Sequence, residues 1–570
     1  MHIGILGGGP SGLFLYKRLI ESGLTHLEIT IFEKKDQLGS GMPYSNEGAN
    51  TEHVTNVSDN EIPEIVTSIK EWISTAPADV LKRFDMVPEK FNEYKVVPRL
   101  LFGEYLSAQF DILQQRAKNA GIVTNVLLNT VVTDIIDEPE EETVKVVTEN
   151  SGNHRFNAVI ISTGHNWPEK NEIKTPNYFD SPYPPSKLKL KVNYPVAIRG
   201  SSLTAIDALR TLARQNGAFN KNEDGTLSYE TDEDSTGFKM VMHSIDGLLP
   251  AIRFHLEDSH LSKDSVLTDE EIKESMDANG GFIPLDYIFE RNFKQPIREQ
   301  DPEFYEKIRD MSIEEFVTHM MSIRERLDPF VLFKAEYAEA EKSIRRRESV
   351  YWKEMLAVLS FAMNYPAKHM CAEDMMRLKK ELMPLISIVI AFVPQSSCRE
   401  LLALYDAGVL SLVAVDRDSK VVPQPKGGAV YHHTDEEGLS HTQHYNLFID
   451  AIGQPPLSYS DFPFKSLLDD GNISAARLRF KSAEEGAKAK EAGGQKVDKD
   501  AAGDYYLHVP GITINDNFQV LDKYGAYSDR IYIMAVPYIG GYNPDYSGLD
   551  FCEAASERII SHLSTVSSLK

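Results

Sequence analysis

The stretch His2-Ile3-Gly4-Ile5-Leu6-Gly7-Gly8-Gly9-Pro10-Ser11-Gly12 decides the fold. A short apolar run enters a glycine-dense turn, and Leu13 to Ile20 then reads as a helix. Gly7, Gly9 and Gly12 fit the G-x-G-x-x-G spacing: the first permits a tight turn, the second lets a pyrophosphate approach the backbone, and the third lets helix pack on strand. The helix N-terminus then faces the anion. A second strand, Leu27 to Phe32, ends at Glu33, 21 residues after Gly12, where a carboxylate can accept both ribose hydroxyls of an adenosine. Alone the glycine spacing is weak. Strand, turn, helix, strand and acid in order make it a dinucleotide site.

Glu33-Lys34-Lys35-Asp36-Gln37-Leu38-Gly39-Ser40-Gly41-Met42 looks like the E-K-x-x-x-x-G-x-G stretch that follows the ribose acid in two-dinucleotide flavoproteins, which favours FAD over NAD here. Pro43-Tyr44-Ser45 and Thr55-Asn56-Val57 fall where such proteins pass under the isoalloxazine ring. Residues 61–120 read mostly as helices, and Arg99 opens one of them, placed to meet a phosphate or the flavin edge. Val123 to Leu128, Val131 to Ile136 and Thr143 to Thr148 read as a small antiparallel meander. Asn157 to His165 is a buried strand ending in a small-residue turn that closes the first dinucleotide fold.

Past a proline-rich boundary at 166–193, Tyr194 to Arg199 is a strand, Gly200 to Ala205 a turn and Ile206 to Gln215 a helix. Gly200, Ser202 and Ala205 stand at the three glycine positions, so Gly200, Ser202, Leu203 and Thr204 form a second, eroded nucleotide turn. After the next strand the sequence presents Asp246, where an NADP site usually presents arginine. That disfavours NADPH, leaving NADH or no nicotinamide as the alternatives. Residues 256–385 form a helical, charge-rich insertion. Ile386 to Phe392 reads as a strand, Cys398 to Leu404 as a helix, and Gly408 to Val415 and Asn446 to Gly453 as further strands. His432-His433 reads as an isolated pair in a polar loop. Residues 484–503 are low in complexity and read as a flexible loop. Arg530 to Ala535 is a strand, and Gly548-Leu549-Asp550 opens the last helix after a turn, Val536 to Tyr546, rich in glycine, proline and tyrosine.

The 570 residues suffice for two or three domains, and 42% hydrophobic with 25% charged is an ordinary globular composition. A net charge of −25 argues against nucleic acid or an anionic membrane as partner. Three cysteines without a C-x-x-C pair fit a reducing compartment and exclude a dithiol redox centre. No apolar run spans a bilayer and no signal peptide is evident, so a cytoplasmic protein is expected. The 16 histidines form no H-E-x-x-H or similar cluster, and no metal is expected.

Taken together, Ile5 to Gly12, Phe32 to Tyr44, Pro98 to Leu106, Val159 to Pro168, Ala197 to Asp207, Phe448 to Pro456 and Ile531 to Leu549 resemble a family of large bacterial FAD/NAD(P)-binding proteins. That family is distantly similar to class B flavin monooxygenases and N-hydroxylases. The resemblance implies an α/β, two-dinucleotide-binding, Rossmann-like flavoprotein with a helical insertion. Its FAD domain would comprise residues 1–170 and 505–570, and its second nucleotide domain residues 190–255 and 386–460. Gly7, Gly9, Pro10, Ser11, Gly12, Glu33, Lys34, Gly41, Met42, Tyr44, Arg99, Val132, Thr163, Gly164, Gly548 and Leu549 would contact FAD. His165, Asn56 and Tyr542 are the candidate catalytic groups. The expected activity is an NAD(P)H-linked monooxygenase acting on a small molecule. The alternatives are a dehydrogenase or oxidase whose flavin is reduced by its own substrate, or a non-catalytic flavin-binding protein. The F-x-G-x-x-x-H-x-x-x-[YF] monooxygenase fingerprint is missing, and Val536-Pro537 replaces the Gly-Asp usual after the last strand.

Overall fold

The computed structural model describes Met1 to Leu569 apart from residues 166, 257–265, 436, 546 and 547. Tyr546, which closes the expected C-terminal turn, and residues 257–265 of the expected insertion therefore lie outside the described residues. Strand β1 (His2–Leu6) enters the glycine turn, helix α1 (Pro10–Glu21) leaves it, and β2 (Glu28–Phe32) follows. Helix α2 (Arg99–Asn119) leads to β3 (Val123–Leu127). A meander of β4 (Val132–Glu138), β5 (Thr143–Thr148) and β6 (Asn153–Phe156) precedes β7 (Ala158–Ile161). A second unit begins with β8 (Pro195–Arg199), α3 (Leu203–Asn216) and β9 (Lys239–Ile245). It resumes with α4 (Gln395–Asp406), β10 (Leu410–Val415) and β11 (Phe448–Asp450). The chain ends with β12 (Gln519–Leu521), β13 (Tyr527–Ile533) and α5 (Leu549–Leu569).

The first sheet runs β12-β13-β7-β1-β2-β3, parallel except for β12, so strands from both ends of the chain share it. Ile3, Ile5, Val159, Ile160, Ile531 and Ile533 are fully buried. Central parallel strands are covered on both faces, which is why they read as unbroken apolar runs. The second sheet, Tyr178–Phe179, β11, β8, β9 and β10 in that order, is parallel throughout.

Between α3 and α4, helices at Asp269–Ala278, Ile313–Arg326, Pro329–Arg346 and Tyr351–Met363 build the insertion. Thr268 with Glu271 and Ser312 with Glu315 form reciprocal capping boxes that start the first two. The insertion packs on both units: Phe289, Phe293 and Phe316 share a core with the first sheet, while Phe330 and Phe333 share one with the second.

The local readings need four corrections. Val123–Leu127 is not part of the meander but pairs in parallel with β2, Glu28 opposite Val123 to Phe32 opposite Leu127, as the edge of the first sheet. Its partner lies 95 residues upstream, and alternation alone cannot name a partner. The Ile386–Phe392 run is not a strand: Pro384 sits in the first turn of the helix Met383–Val389, and tertiary packing overrides β-branched propensity there. Residues 484–503 are not a structureless loop. Ala483–Ala492 is a helix whose cap, Ser482, accepts from the Glu485 amide, and Val497–Lys499 pairs with Tyr505–Ile512. His432 and His433 lie on the strand Ala429–Thr434.

Candidate functional site: two nucleotide clefts

The first cleft, about 210 Å³, opens at the C-terminal ends of β1, β2, β7 and β13. Gly7 has φ +113°, and a Cβ there would lie 2.7 Å from the Ser162 carbonyl oxygen. A Cβ on Gly12 would lie 2.2 Å from the Gly7 oxygen, so only glycine lets α1 leave the turn this closely. Ser162 fixes the turn by donating its hydroxyl to the Leu6 and Gly7 carbonyls, 3.0 Å each. Both Glu33 oxygens accept backbone amides, Oε2 from Gly8 at 2.8 Å and Oε1 from Lys35 at 3.0 Å. The carboxylate is thus held at the end of β2 with lone pairs left over for a diol. Lys35 ties the next loop down through the Gly41 carbonyl and the Ser45 hydroxyl.

Of the expected FAD contacts, Gly7, Gly9, Pro10, Ser11, Glu33, Lys34, Gly41, Met42, Tyr44, Thr163, Gly164, Gly548 and Leu549 line this one cleft. Gly12, Arg99 and Val132 do not. Gly12 underlies the turn, and Val132 pairs with Thr148 in the meander. Arg99 is spent elsewhere: it donates to the Val54 carbonyl and pairs with Asp207. Burial alone would raise the Asp207 carboxyl, but the guanidinium overrides it and holds it below its ordinary range. Tyr183 donates to the same carboxylate at 2.7 Å, and His53 lies 3.1 Å from the Thr211 hydroxyl. These buried groups join the first unit to α3.

His165 lies at the cleft mouth, Nδ1 3.0 Å from Gln454 Oε1. The other two candidate catalytic groups stand apart from the cleft. Asn56 is exposed and gives its carbonyl to Arg253. Tyr542 is buried, its hydroxyl spanning the Arg477 amide at 3.2 Å and carbonyl at 2.8 Å. Sequence reasoning passed over Lys35, Ser162, Met534, Phe551 and Cys552, which also line the cleft. Cys552 lies 3.3 Å from the Ser11 hydroxyl, and burial pushes its thiol up to about 12.

The second cleft, about 780 Å³, opens at the matching strand ends of the second sheet. Gly200 has φ +109°, with a virtual Cβ 2.8 Å from the Ala451 oxygen, the counterpart of Gly7 and Ser162. Gly200 and Ser202 line this cleft; Leu203 and Thr204 do not. Ser201 Oγ is satisfied internally by Ser244 Oγ and the Leu248 carbonyl, and Arg199 pairs with Asp450 at 3.2 Å. His243 is buried on this cleft, stacked on Tyr431 at 4.1 Å, with Nδ1 lacking a partner; burial pushes its imidazole down to about 4. The opposite wall comes from the helical insertion, including Val317, Met321 and Ser387.

Residues 4–166 match the FAD-NAD(P)-binding family model. Residues 268–390 match the YdhS-like middle domain, which coincides with the helical insertion. The uncharacterized protein YdhS of Escherichia coli (strain K12) is 29% identical over 472 residues, 82% of this chain and 85% of that protein. Among solved structures, an ornithine N-hydroxylase of Kutzneria sp. 744 aligns over 99% of both chains at 13% identity and TM-score 0.46. The L-lysine 6-monooxygenase of Pseudomonas syringae aligns over 99% of both at 12% identity and TM-score 0.46. Among the described residues no helix is long and apolar enough to cross a membrane, and no group of three histidine, cysteine or acidic side chains is set to hold a metal. The three cysteines are free and buried.

Proposed function

We propose that this chain is an FAD-dependent oxidoreductase of the NAD(P)H-linked monooxygenase type, with FAD along the first cleft and a nicotinamide nucleotide in the second. The observation that carries this reading is the convergence of the glycine turn, Glu33, the Ser162–Gly164 turn and the Gly548–Leu549 helix start on one cleft. The donor set fits FAD. A Cβ on Gly9 would come 3.2 Å from the Gly41 Cα, so two glycines leave the phosphate path open. The Thr163 hydroxyl is buried on the cleft without a partner.

When bound, FAD supplies the hydride acceptor and the oxygen-reactive centre. The chain's residues bind and shelter it. Glu33 accepts the ribose hydroxyls, and the first turn of α1 presents amides to the pyrophosphate. The N-terminus of α5, at Leu549, brings the positive end of a 21-residue helix to the cleft, favouring negative charge there. Met42, Met534, Val536, Pro537 and Phe551 give apolar walls that keep water out. The Cys552 thiol stays protonated at neutral pH and offers a hydrogen bond rather than a nucleophile. His165, exposed at the mouth, is the cleft's candidate for proton exchange with a substrate.

The test is FAD content after reconstitution. Wild type is expected to retain one FAD per chain, and Gly9→Trp to fold but bind none because the indole fills the phosphate path. A Gly9→Trp protein that keeps stoichiometric FAD would overturn the assignment.

A further inference from the structure

The second cleft is lined by cations that its own strand-turn-helix motif does not supply. In such a unit the pyrophosphate lies at the helix N-terminus, here Ser202–Leu203, and the adenosine ribose at the end of the following strand. That strand is β9, ending at Ile245, with exposed Asp246 after it. Strand β10 pairs with β9 as far as Ile245 opposite Val415, so Arg417, two residues further on, stands at the same strand end. From the facing wall, the Leu378–Leu382 turn of the helical insertion brings Lys379 and Lys380 to the same cleft. Arg417 from the sheet and Lys379 and Lys380 from the insertion therefore line the same cleft.

Their counter-charges are incomplete. Lys380 pairs with its neighbour Glu381 at 2.8 Å. Lys379 and Arg417 have no carboxylate partner among the described residues, although Asp246 and Glu325 also line the cleft. Gathering like charges of which only one is paired is unfavourable, and a bound anion lowers the cost. Arginine's planar fork suits phosphate oxygens, and lysine adds point charge.

Resting on the reading of this cleft as a nicotinamide-nucleotide site, we propose that Arg417, Lys379 and Lys380 bind the 2′-phosphate of NADP(H). Nucleotide choice would then be set jointly by the end of β10 and the helical insertion, not by the residue after β9. This reverses the preference drawn from Asp246 alone. The insertion becomes one wall of the nucleotide site.

The test uses the full-length, flavin-loaded protein titrated with NADP⁺ and NAD⁺, for wild type, Arg417→Ala and the double variant Lys379→Ala/Lys380→Ala. All three positions are exposed, and retained flavin content verifies the fold of each variant. Wild type is expected to bind NADP⁺ about tenfold or more tighter than NAD⁺, and each variant to erase most of that difference by weakening NADP⁺ alone. NADP⁺ affinity should also fall more steeply with salt. A wild-type preference for NAD⁺, equal losses for both nucleotides, or variants that leave the ratio unchanged would overturn the assignment. Wild type binding neither nucleotide would instead overturn the nucleotide reading of the cleft, an outcome distinct from a preference for NAD⁺.

Discussion

At the residue scale, two carboxylates separate binding from folding. Glu33 is held by two backbone amides at the edge of the first cleft. Its replacement by alanine is expected to cost FAD binding about 1.5–3 kcal/mol, the worth of hydrogen bonds to a charged group, a loss of roughly tenfold or more in affinity. Isothermal titration of FAD into apo-protein measures it, and unchanged affinity would remove Glu33 from the ribose. Asp550 behaves differently. Burial, with Glu61, Asp545 and Glu553 nearby, pushes its carboxyl up to about 7, and its Oδ1 is buried without a partner. A folded-state value above the unfolded one means the folded chain holds the extra proton between about pH 4 and pH 7, so stability falls as pH rises through that window. Asp550→Asn removes this dependence. Its melting temperature should exceed wild type by more at pH 8 than at pH 5. Equal differences at both pH values would contradict the shifted carboxyl.

At the element scale, the second unit is fastened by a buried ion pair between its two long helices. Glu400 on α4 meets Arg210 and Arg214 on α3, at 2.8 Å to each. Burial alone would raise the Glu400 carboxyl, yet the two guanidiniums bring it down to about 2. Glu400→Gln leaves Arg210 buried and uncompensated, for an expected loss of about 3–5 kcal/mol. A thermal melt checks it, and a loss under about 1 kcal/mol would mean the pair is dispensable. The elements also mark how far the sequence could be read. The β1–α1–β2 unit was legible because a glycine turn between a strand and a helix carries its own physics: Gly7 and Gly12 are where a Cβ would collide. The role of β3 was not, because pairing with β2 is a long-range choice that alternation does not encode. Nor was the helix at Ala483–Ala492, whose Ala-Lys-Glu composition reads equally as a mobile linker until Ser482 caps it. Arg99 shows the limit for sites: a helix-start arginine beside a cofactor stretch looks free for phosphate, and only the fold reveals Asp207 against it.

At the scale of the whole molecule, the two units meet through buried polar groups. Arg99, Asp207 and Tyr183 form one junction, and Arg253 reaching Glu61 and Ser58 forms another. Asp207→Asn leaves Arg99 buried without a full counter-charge. It should lower the melting temperature and speed amide exchange in α3 and at the start of α2, while leaving FAD content near wild type. Loss of FAD with no change in exchange would show that Arg99 serves the cofactor instead. The helical insertion contributes to the cores of both units and forms a wall of the second cleft. On the proposed reading, a reductant bound in the second cleft must reach the flavin in the first. Anaerobic rapid mixing of the flavin-loaded protein with NADPH, and separately with NADH, tests this most directly. The expected result is rapid loss of the oxidised flavin absorbance, faster with NADPH. A flavin that neither nucleotide reduces would contradict it.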